Sequence, residues 1–116
     1  MSKASAFAAM SASTPLVPFE ITRRELGPHD VDIDVLYCGV CHSDIHQARD
    51  EWGGATFPMV PGHEVVGRVA AVGAAVTRHA IGEMVGVGCF VDSCRHCAPC
   101  EEGEEQFCVE GMTGTY

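Results

Sequence analysis

Two stretches near the start of the chain alternate between apolar and polar residues with the period of a β-strand. In residues 15–24, Val17, Phe19 and Ile21 fall on one face. Between them and the second stretch, Gly27-Pro28 breaks the pattern. The apolar positions of the second stretch, which alternate with Asp30, Asp32 and Asp34, are Val31, Ile33, Val35 and Tyr37. The pattern predicts two strands, and it gives the second one dry and one wet face.

A short helix is predicted next. Ser43 or Asp44 can cap it, and Ile45, Ala48 and Trp52 fall at i, i+3 and i+7, so they form one apolar stripe. Gly53-Gly54 is expected to end this helix, and the two prolines and the glycine of residues 57–64 then predict a stiff loop.

The following segments are rich in small and branched residues. Residues 65–76 read as a strand that is interrupted by Gly67 and Gly73, which indicates sharp curvature or a close approach of backbones. Residues 82–88 predict a further short strand. Four or more short strands, one short helix and no βαβ alternation predict a mainly β fold, a small and mostly antiparallel barrel.

Composition narrows the class of protein. A chain of 116 residues is one domain's worth and is expected to bury roughly two-thirds of its unfolded surface. No run is apolar enough to span a bilayer, and a net charge of −9 argues against partners such as nucleic acid or an anionic membrane. The N-terminus makes a poor secretory signal, and seven cysteines cannot all pair in disulfides. We therefore expect the protein to be located in the reducing cytoplasm.

Four cysteines lie within fifteen residues, spaced C-x2-C-x2-C-x7-C: Cys94, Cys97, Cys100 and Cys108. Four thiolates form a closed tetrahedral zinc site, and cysteines two residues apart bring two sulfurs to one metal. The alternatives are a disulfide pair or buried thiols. An iron–sulfur cluster is a stronger rival, but the last spacing is seven rather than three and no Cys-Pro follows.

A second group of ligand-type residues lies earlier in the chain: Cys41, His42, His46, His63 and Glu64, with Asp44 among them. A single histidine is usually a surface or core residue. Together, Cys-His-Ser-Asp-x-x-His after a strand and Gly-His-Glu in a stiff loop are typical of a catalytic zinc site, which keeps one coordination position open.

The motifs Tyr37-Cys-Gly-Val-Cys41-His-Ser-Asp-Ile-His46, Pro61-Gly-His63-Glu64 and Gly86-Val-Gly-Cys-Phe-Val-Asp-Ser-Cys94 occur in this order. With the four-cysteine segment they resemble the zinc-dependent medium-chain alcohol dehydrogenases, above all the cinnamyl alcohol dehydrogenases and the bacterial NADP-dependent aldehyde reductases. The resemblance runs from about Ala6 to Tyr116. It implies a GroES-like catalytic domain, a partly open barrel with a zinc lobe at about 94–108.

The resemblance also implies roles for individual residues. Cys41 and His63 would bind a catalytic zinc, and the four-cysteine segment would bind a structural one. Ser43 would accept the proton of a zinc-bound alcohol and His46 would pass it towards solvent, because the alkoxide proton must leave a water-poor cleft. Asp44 would orient His63 through the ring nitrogen that does not bind metal.

Three further residues are interpreted, and two of them keep more than one interpretation. Trp52 resembles an aromatic wall of the family's substrate pocket, or it ends the helix's apolar stripe. Glu64 is either a third, carboxylate ligand of the zinc or an acid that tunes the site from outside. Cys38 is interpreted as a buried thiol.

The sequence departs from the family in what it lacks. The family takes a third zinc ligand, a cysteine, from further downstream and binds its cofactor on a Rossmann domain. No G-x-G-x-x-G follows a strand here. The nearest approach is Gly86-x-Gly88, but Val91 stands where the third glycine would be needed. We therefore expect the N-terminal part of a truncated enzyme, inactive alone.

The full-length form implied by the resemblance is a homo-oligomer that interconverts small alcohols and aldehydes with NADP(H). Two alternatives stay open for this chain, a non-enzymatic zinc-binding scaffold and an iron–sulfur electron carrier.

Overall fold

The structure is a computed structural model that describes residues 1–116, and it is mainly β. Seven strands, two short helices and one 3-10 turn follow one another along the chain. They are β1 Ser2–Ala9, β2 Leu16–Arg23, β3 Val31–Cys38, α1 His42–Ala48, β4 Val65–Val72, β5 Met84–Val87, β6 Phe90–Asp92, α2 Ala98–Glu101, the 3-10 turn Glu105–Phe107 and β7 Thr113–Gly114. Neither helix has the length and apolar character needed to cross a bilayer.

Every strand pairing is antiparallel. β1 pairs with β2, β3 and β5 flank β4, and β6 pairs with β7. The predicted mainly β, antiparallel architecture is confirmed, and so are the strands now labelled β2, β3, β4 and β5. The sequence reading missed β1, β6 and β7. The first of these is built largely from alanine and serine, which carry little β-propensity, and pairs with β2 over eight residues.

Two glycines allow the backbones around β4 to approach closely, as their positions predicted. A Cβ on Gly67 would lie 2.5 Å from the carbonyl oxygen of Asp34 on β3. A Cβ on Gly73 would lie 2.1 Å from the carbonyl oxygen of Gly27 and 2.4 Å from that of Pro28. The β3–β4 ladder also contains two register shifts, which curve the pair.

The helix prediction was wrong at both ends. The cap is Cys41 and not Ser43 or Asp44, and Asp44 is the third helical residue, whose carboxylate accepts the Cys41 N–H at 3.0 Å. The helix ends at Ala48, because Asp50 takes a left-handed φ of 53° and bonds the Ala55 N–H at 2.9 Å. Trp52 therefore lies in the turn beyond the helix and does not extend its stripe.

The core is smaller than predicted. Only 10 of 116 residues are buried, and the surface of 7934 Å² exceeds the roughly 6100 Å² typical of a compact protein of this mass. The predicted dry face of β3 is only half realised. Val31 and Ile33 in the first half of the strand are partly buried, whereas Val35 and Tyr37 in the second half are 60% and 74% exposed. A register shift lies between these last two, and β3 pairs with β4 alone.

A carboxylate clamp orders the loop that leads into β3. Asp30 accepts hydrogen bonds from Arg24 and, at 2.7 Å, from the Gly27 N–H. These two donors lower the pKa of Asp30 from 3.8 to about 2, and the Arg24 guanidinium has the larger effect. The clamp holds Gly27 and Pro28 where they meet Gly73.

Replacing Asp30 with asparagine is expected to destabilise the fold at neutral pH. Since the folded-state pKa is depressed, the contribution of the clamp is complete above pH 4 and is lost as the pH falls towards 2. Urea unfolding should therefore separate wild type from Asp30→Asn at pH 7, and the separation should shrink below pH 4. Asp32→Asn, a neighbouring exposed aspartate on β3, serves as the control. Equal midpoints for wild type and Asp30→Asn at pH 7 would rule out the clamp.

Candidate metal centres

The first centre lies where β3 ends and β4 begins. Because these strands are antiparallel and Cys38 pairs with Val65, the residues just after β3 and just before β4 meet at one edge of the sheet. The Gly39 N–H donates to the carbonyl of Glu64 at 2.9 Å, which joins the two segments. The topology thus brings Cys41 to His63 and Glu64 across more than twenty residues of sequence.

The stiff loop that carries His63 is held from its other side. Met59 exchanges two backbone hydrogen bonds with Ala9, each of 2.8 Å. Both residues are buried, and together with Ala8 and Val69 they form most of the small apolar core. The ligand loop is therefore anchored on β1 at one end and on β3 at the other.

The sulfur of Cys41, a ring nitrogen of His63 and a carboxylate oxygen of Glu64 all lie within 4.8 Å of one another. His63 is buried and Cys41 is partly buried, whereas Glu64 is exposed. Hydrogen bonding by Ser43, and after it by His63, lowers the pKa of the Cys41 thiol below its ordinary value, which favours the thiolate that a metal needs. Three such donors leave the fourth position of a tetrahedron free, and this number of protein ligands fits a catalytic zinc.

Asp44 is buried, and its two oxygens have different partners. One accepts the N–H of Cys41, and the other accepts the hydroxyl of Tyr116 at 2.6 Å. Neither is bonded to His63, so the predicted Asp44–His63 hydrogen bond is not formed here. Tyr116 itself stacks on His63, with ring centroids 4.9 Å apart and planes inclined by 18°. Burial, followed by the bond to Asp44, raises the pKa of Tyr116 well above its usual value.

The predicted relay residues lie on α1. The Ser43 hydroxyl is 3.5 Å from the sulfur of Cys41. His46 stacks on Trp52 at 4.6 Å and its Nδ1 lies 3.3 Å from the exposed carboxylate of Glu51. Sequence reasoning missed Glu51 and Tyr116. It also misplaced Cys38, which is exposed rather than buried.

The second centre is the four-cysteine lobe. The four sulfurs lie within 4.8 Å of one another, and those of Cys94 and Cys100 are 3.8 Å apart. In a tetrahedron with Zn–S bonds of about 2.3 Å, sulfurs are about 3.8 Å apart. All seven cysteines are free, so the disulfide alternative finds no support. His96 and Glu110 lie beside Cys94, but they share that sulfur and form no separate centre.

The pKa values of two thiols in the lobe, Cys97 and Cys94, are shifted in opposite directions. The N–H groups of Val109 and Cys100 lower the pKa of Cys97 to about 6. The N–H of His96 also favours the Cys94 thiolate, but burial and the neighbouring thiols outweigh it and raise the pKa of Cys94 to about 11. Four anionic sulfurs at this spacing repel one another strongly, so full ionisation requires a cation between them.

The chain is similar to known aldehyde reductases and alcohol dehydrogenases. The chain is 60% identical to aldehyde reductase YahK of Escherichia coli K12 over 98% of its own length and 32% of that protein. The crystal structure of CAD from Helicobacter pylori complexed with NADP(H) superposes with a TM-score of 0.93 at 47% identity, over 98% of this chain and 33% of that one. A cobalt- and zinc-bound thermostable alcohol dehydrogenase from Pyrobaculum aerophilum gives 0.78 at 30% identity, over 97% and 35%.

The chain spans about a third of the length of the curated relatives that it matches. Within that third, the family model for the alcohol dehydrogenase GroES-like domain matches residues 27–116. The match includes both candidate metal centres and β3 and β4, the two strands whose ends meet at the first of them. The chain therefore belongs to the alcohol dehydrogenase GroES-like domain family.

Proposed function

We propose that this chain is the metal-binding catalytic part of a zinc-dependent, NADP-linked alcohol dehydrogenase or aldehyde reductase. The observation that carries the proposal is the grouping of Cys41, His63 and Glu64 within 4.8 Å, in a member of this family. Three protein ligands leave a fourth coordination position for the substrate. The four-cysteine lobe binds a second zinc with a structural role. The full-length enzyme acts on small primary alcohols or aldehydes as a homo-oligomer, in a reducing cytoplasm that suits seven free cysteines.

Each residue of the first centre has a definite task. Cys41, His63 and Glu64 hold the metal, which, when bound, polarises the substrate oxygen and lowers the pKa of its hydroxyl. The Ser43 hydroxyl, 3.5 Å from the Cys41 sulfur, is placed to receive the proton that the substrate loses. His46, on the same helix and hydrogen-bonded to exposed Glu51, passes that proton towards solvent. Trp52 stacks on His46 and fixes the plane of its ring.

The two rival functions differ in what they require. A zinc-binding scaffold needs only the four-cysteine lobe and gives no reason for a second, open group of ligands. An iron–sulfur cluster inserts several iron atoms between the cysteines and holds their sulfurs further apart than a single ion does. The separation of 3.8 Å between Cys94 and Cys100 therefore favours one ion at the lobe.

Cobalt substitution tests the open coordination position. Cobalt(II) in a thiolate site absorbs visible light, and a small ligand such as imidazole that enters the open position changes the spectrum. We expect imidazole to alter the cobalt spectrum of wild type and to leave that of Cys41→Ser unchanged, because the serine variant retains only the closed lobe. Cys38→Ser, which removes an exposed thiol three residues away, should behave as wild type. An imidazole-insensitive wild-type spectrum would support the scaffold instead.

The 116-residue chain alone is expected to show no alcohol-dependent reduction of NADP. Its relatives are about three times as long, and none of its strands leads into a glycine-rich dinucleotide motif. The measurement is NADPH absorbance with zinc-loaded chain and excess primary alcohol, with one of the NADP-dependent alcohol dehydrogenases that the chain matches as the positive control. Turnover that disappears in Cys41→Ser would show that this expectation is wrong.

A further inference from the structure

Tyr116 lies 72 residues from its hydrogen-bonding partner in the sequence and meets the first metal centre at two points. Its hydroxyl donates to Asp44 at 2.6 Å, and its ring stacks on His63 at 4.9 Å. Tyr116 is partly buried, and both of its partners are buried, with 8% and 9% of their surfaces exposed. Tyr116 therefore contacts one predicted ligand, His63, directly. It also contacts Asp44, which is hydrogen-bonded to the other predicted ligand, Cys41.

Asp44 transmits the contact to Cys41. Its second oxygen accepts the Cys41 N–H at 3.0 Å, which fixes the residue that caps α1 and carries the thiol. A carboxylate with only one partner can rotate. With the Tyr116 hydroxyl on its other oxygen, the carboxylate is held at both ends, and so is the start of the helix.

The stacking fixes the second ligand. An imidazole ring held against a flat phenol cannot turn freely about its χ2 angle, so the nitrogen that binds metal keeps its direction. Neither oxygen of Asp44 reaches His63, which leaves the tyrosine ring to position the histidine.

From these contacts we infer that Tyr116 is a positioning residue of the first metal centre, which orients Cys41 through Asp44 and His63 by stacking. It acts through these two residues and is not itself a ligand in this proposal. The inference rests on the proposed function, since it assumes that Cys41 and His63 bind the metal together.

The test is a cobalt titration that follows both centres of the same chain. Tyr116→Phe keeps the stacking and loses the hydroxyl, so the first centre should bind cobalt about 10-fold more weakly. Tyr116→Leu loses both contacts and should weaken binding towards about 100-fold, with a changed absorption spectrum at that centre. The four-cysteine lobe should keep its affinity in both variants. Tyr37→Phe alters the only other tyrosine, which is 74% exposed, and should change neither centre.

A mutant cycle identifies the route through Asp44. In an Asp44→Ala background the hydroxyl has no acceptor, so adding Tyr116→Phe should cost no further affinity, whereas adding Tyr116→Leu should. Wild-type affinity in both single tyrosine variants, or an equal loss at both centres, would overturn the inference. A wild-type chain that binds cobalt at the lobe alone would instead overturn the proposed function.

Discussion

Replacing Cys100 with serine is expected to abolish zinc binding at the four-cysteine lobe and to disorder residues 94–108. Structural zinc sites contribute about 10–16 kcal/mol in small peptides, which rivals the whole stability of a domain. The lobe has little else to hold it, because its regular structure is limited to the four-residue α2 and a three-residue 3-10 turn. Bound zinc per chain and amide hydrogen exchange across the lobe measure the two effects.

The matched control is Cys89→Ser, which removes an exposed thiol just before the lobe. It should keep the wild-type zinc content and the wild-type exchange pattern. A strong chelator should reproduce the Cys100→Ser pattern in wild type, with exchange rising first between residues 94 and 108. If amides there stay protected in Cys100→Ser at an unchanged zinc content, the sulfurs do not hold this segment together.

Replacing Gly73 with alanine is expected to lower the free energy of unfolding by about 3 kcal/mol. The added methyl group would lie 2.1 Å from one carbonyl oxygen and 2.4 Å from another, both belonging to the backbone, so a side-chain rotation cannot relieve the clash. Chemical denaturation of the zinc-loaded chain measures the loss.

Gly88→Ala provides the comparison, because a Cβ at Gly88 meets nothing within 4 Å. Its effect should stay within about 0.5 kcal/mol. Similar losses in the two variants would mean that the close approach of β4 to the Gly27 loop does not set the cost of replacing Gly73.

Sequence patterns predicted the strands whose apolar residues alternate. β2, β3, β4 and β5 were all found close to their predicted positions, and Gly67 and Gly73 signalled the close backbone contacts. The pattern failed where burial does not follow alternation. Val35 and Tyr37 continue the period of β3 but remain exposed, because burial depends on which element covers a face and not on the period itself.

The candidate metal centres were predicted in part. Ligand spacing pointed to the four cysteines, because metal chemistry restricts the residue types that can serve, whereas Cys41 with His63 followed from the family resemblance. Tyr116 carried no such signal. Its partner, Asp44, lies 72 residues away, and only the folded chain brings the two together. The end of α1 was misjudged since a single left-handed residue, Asp50, stops the helix before Trp52.

Two metal ions are expected in this chain, one at Cys41, His63 and Glu64 and one in the closed lobe. The decisive measurement is metal analysis of the purified chain, with Cys41→Ser and Cys100→Ser measured beside it. We expect two zinc ions in wild type and one in each variant. One zinc in both wild type and Cys41→Ser, or iron in place of zinc, would show that the two zinc centres proposed here do not both exist.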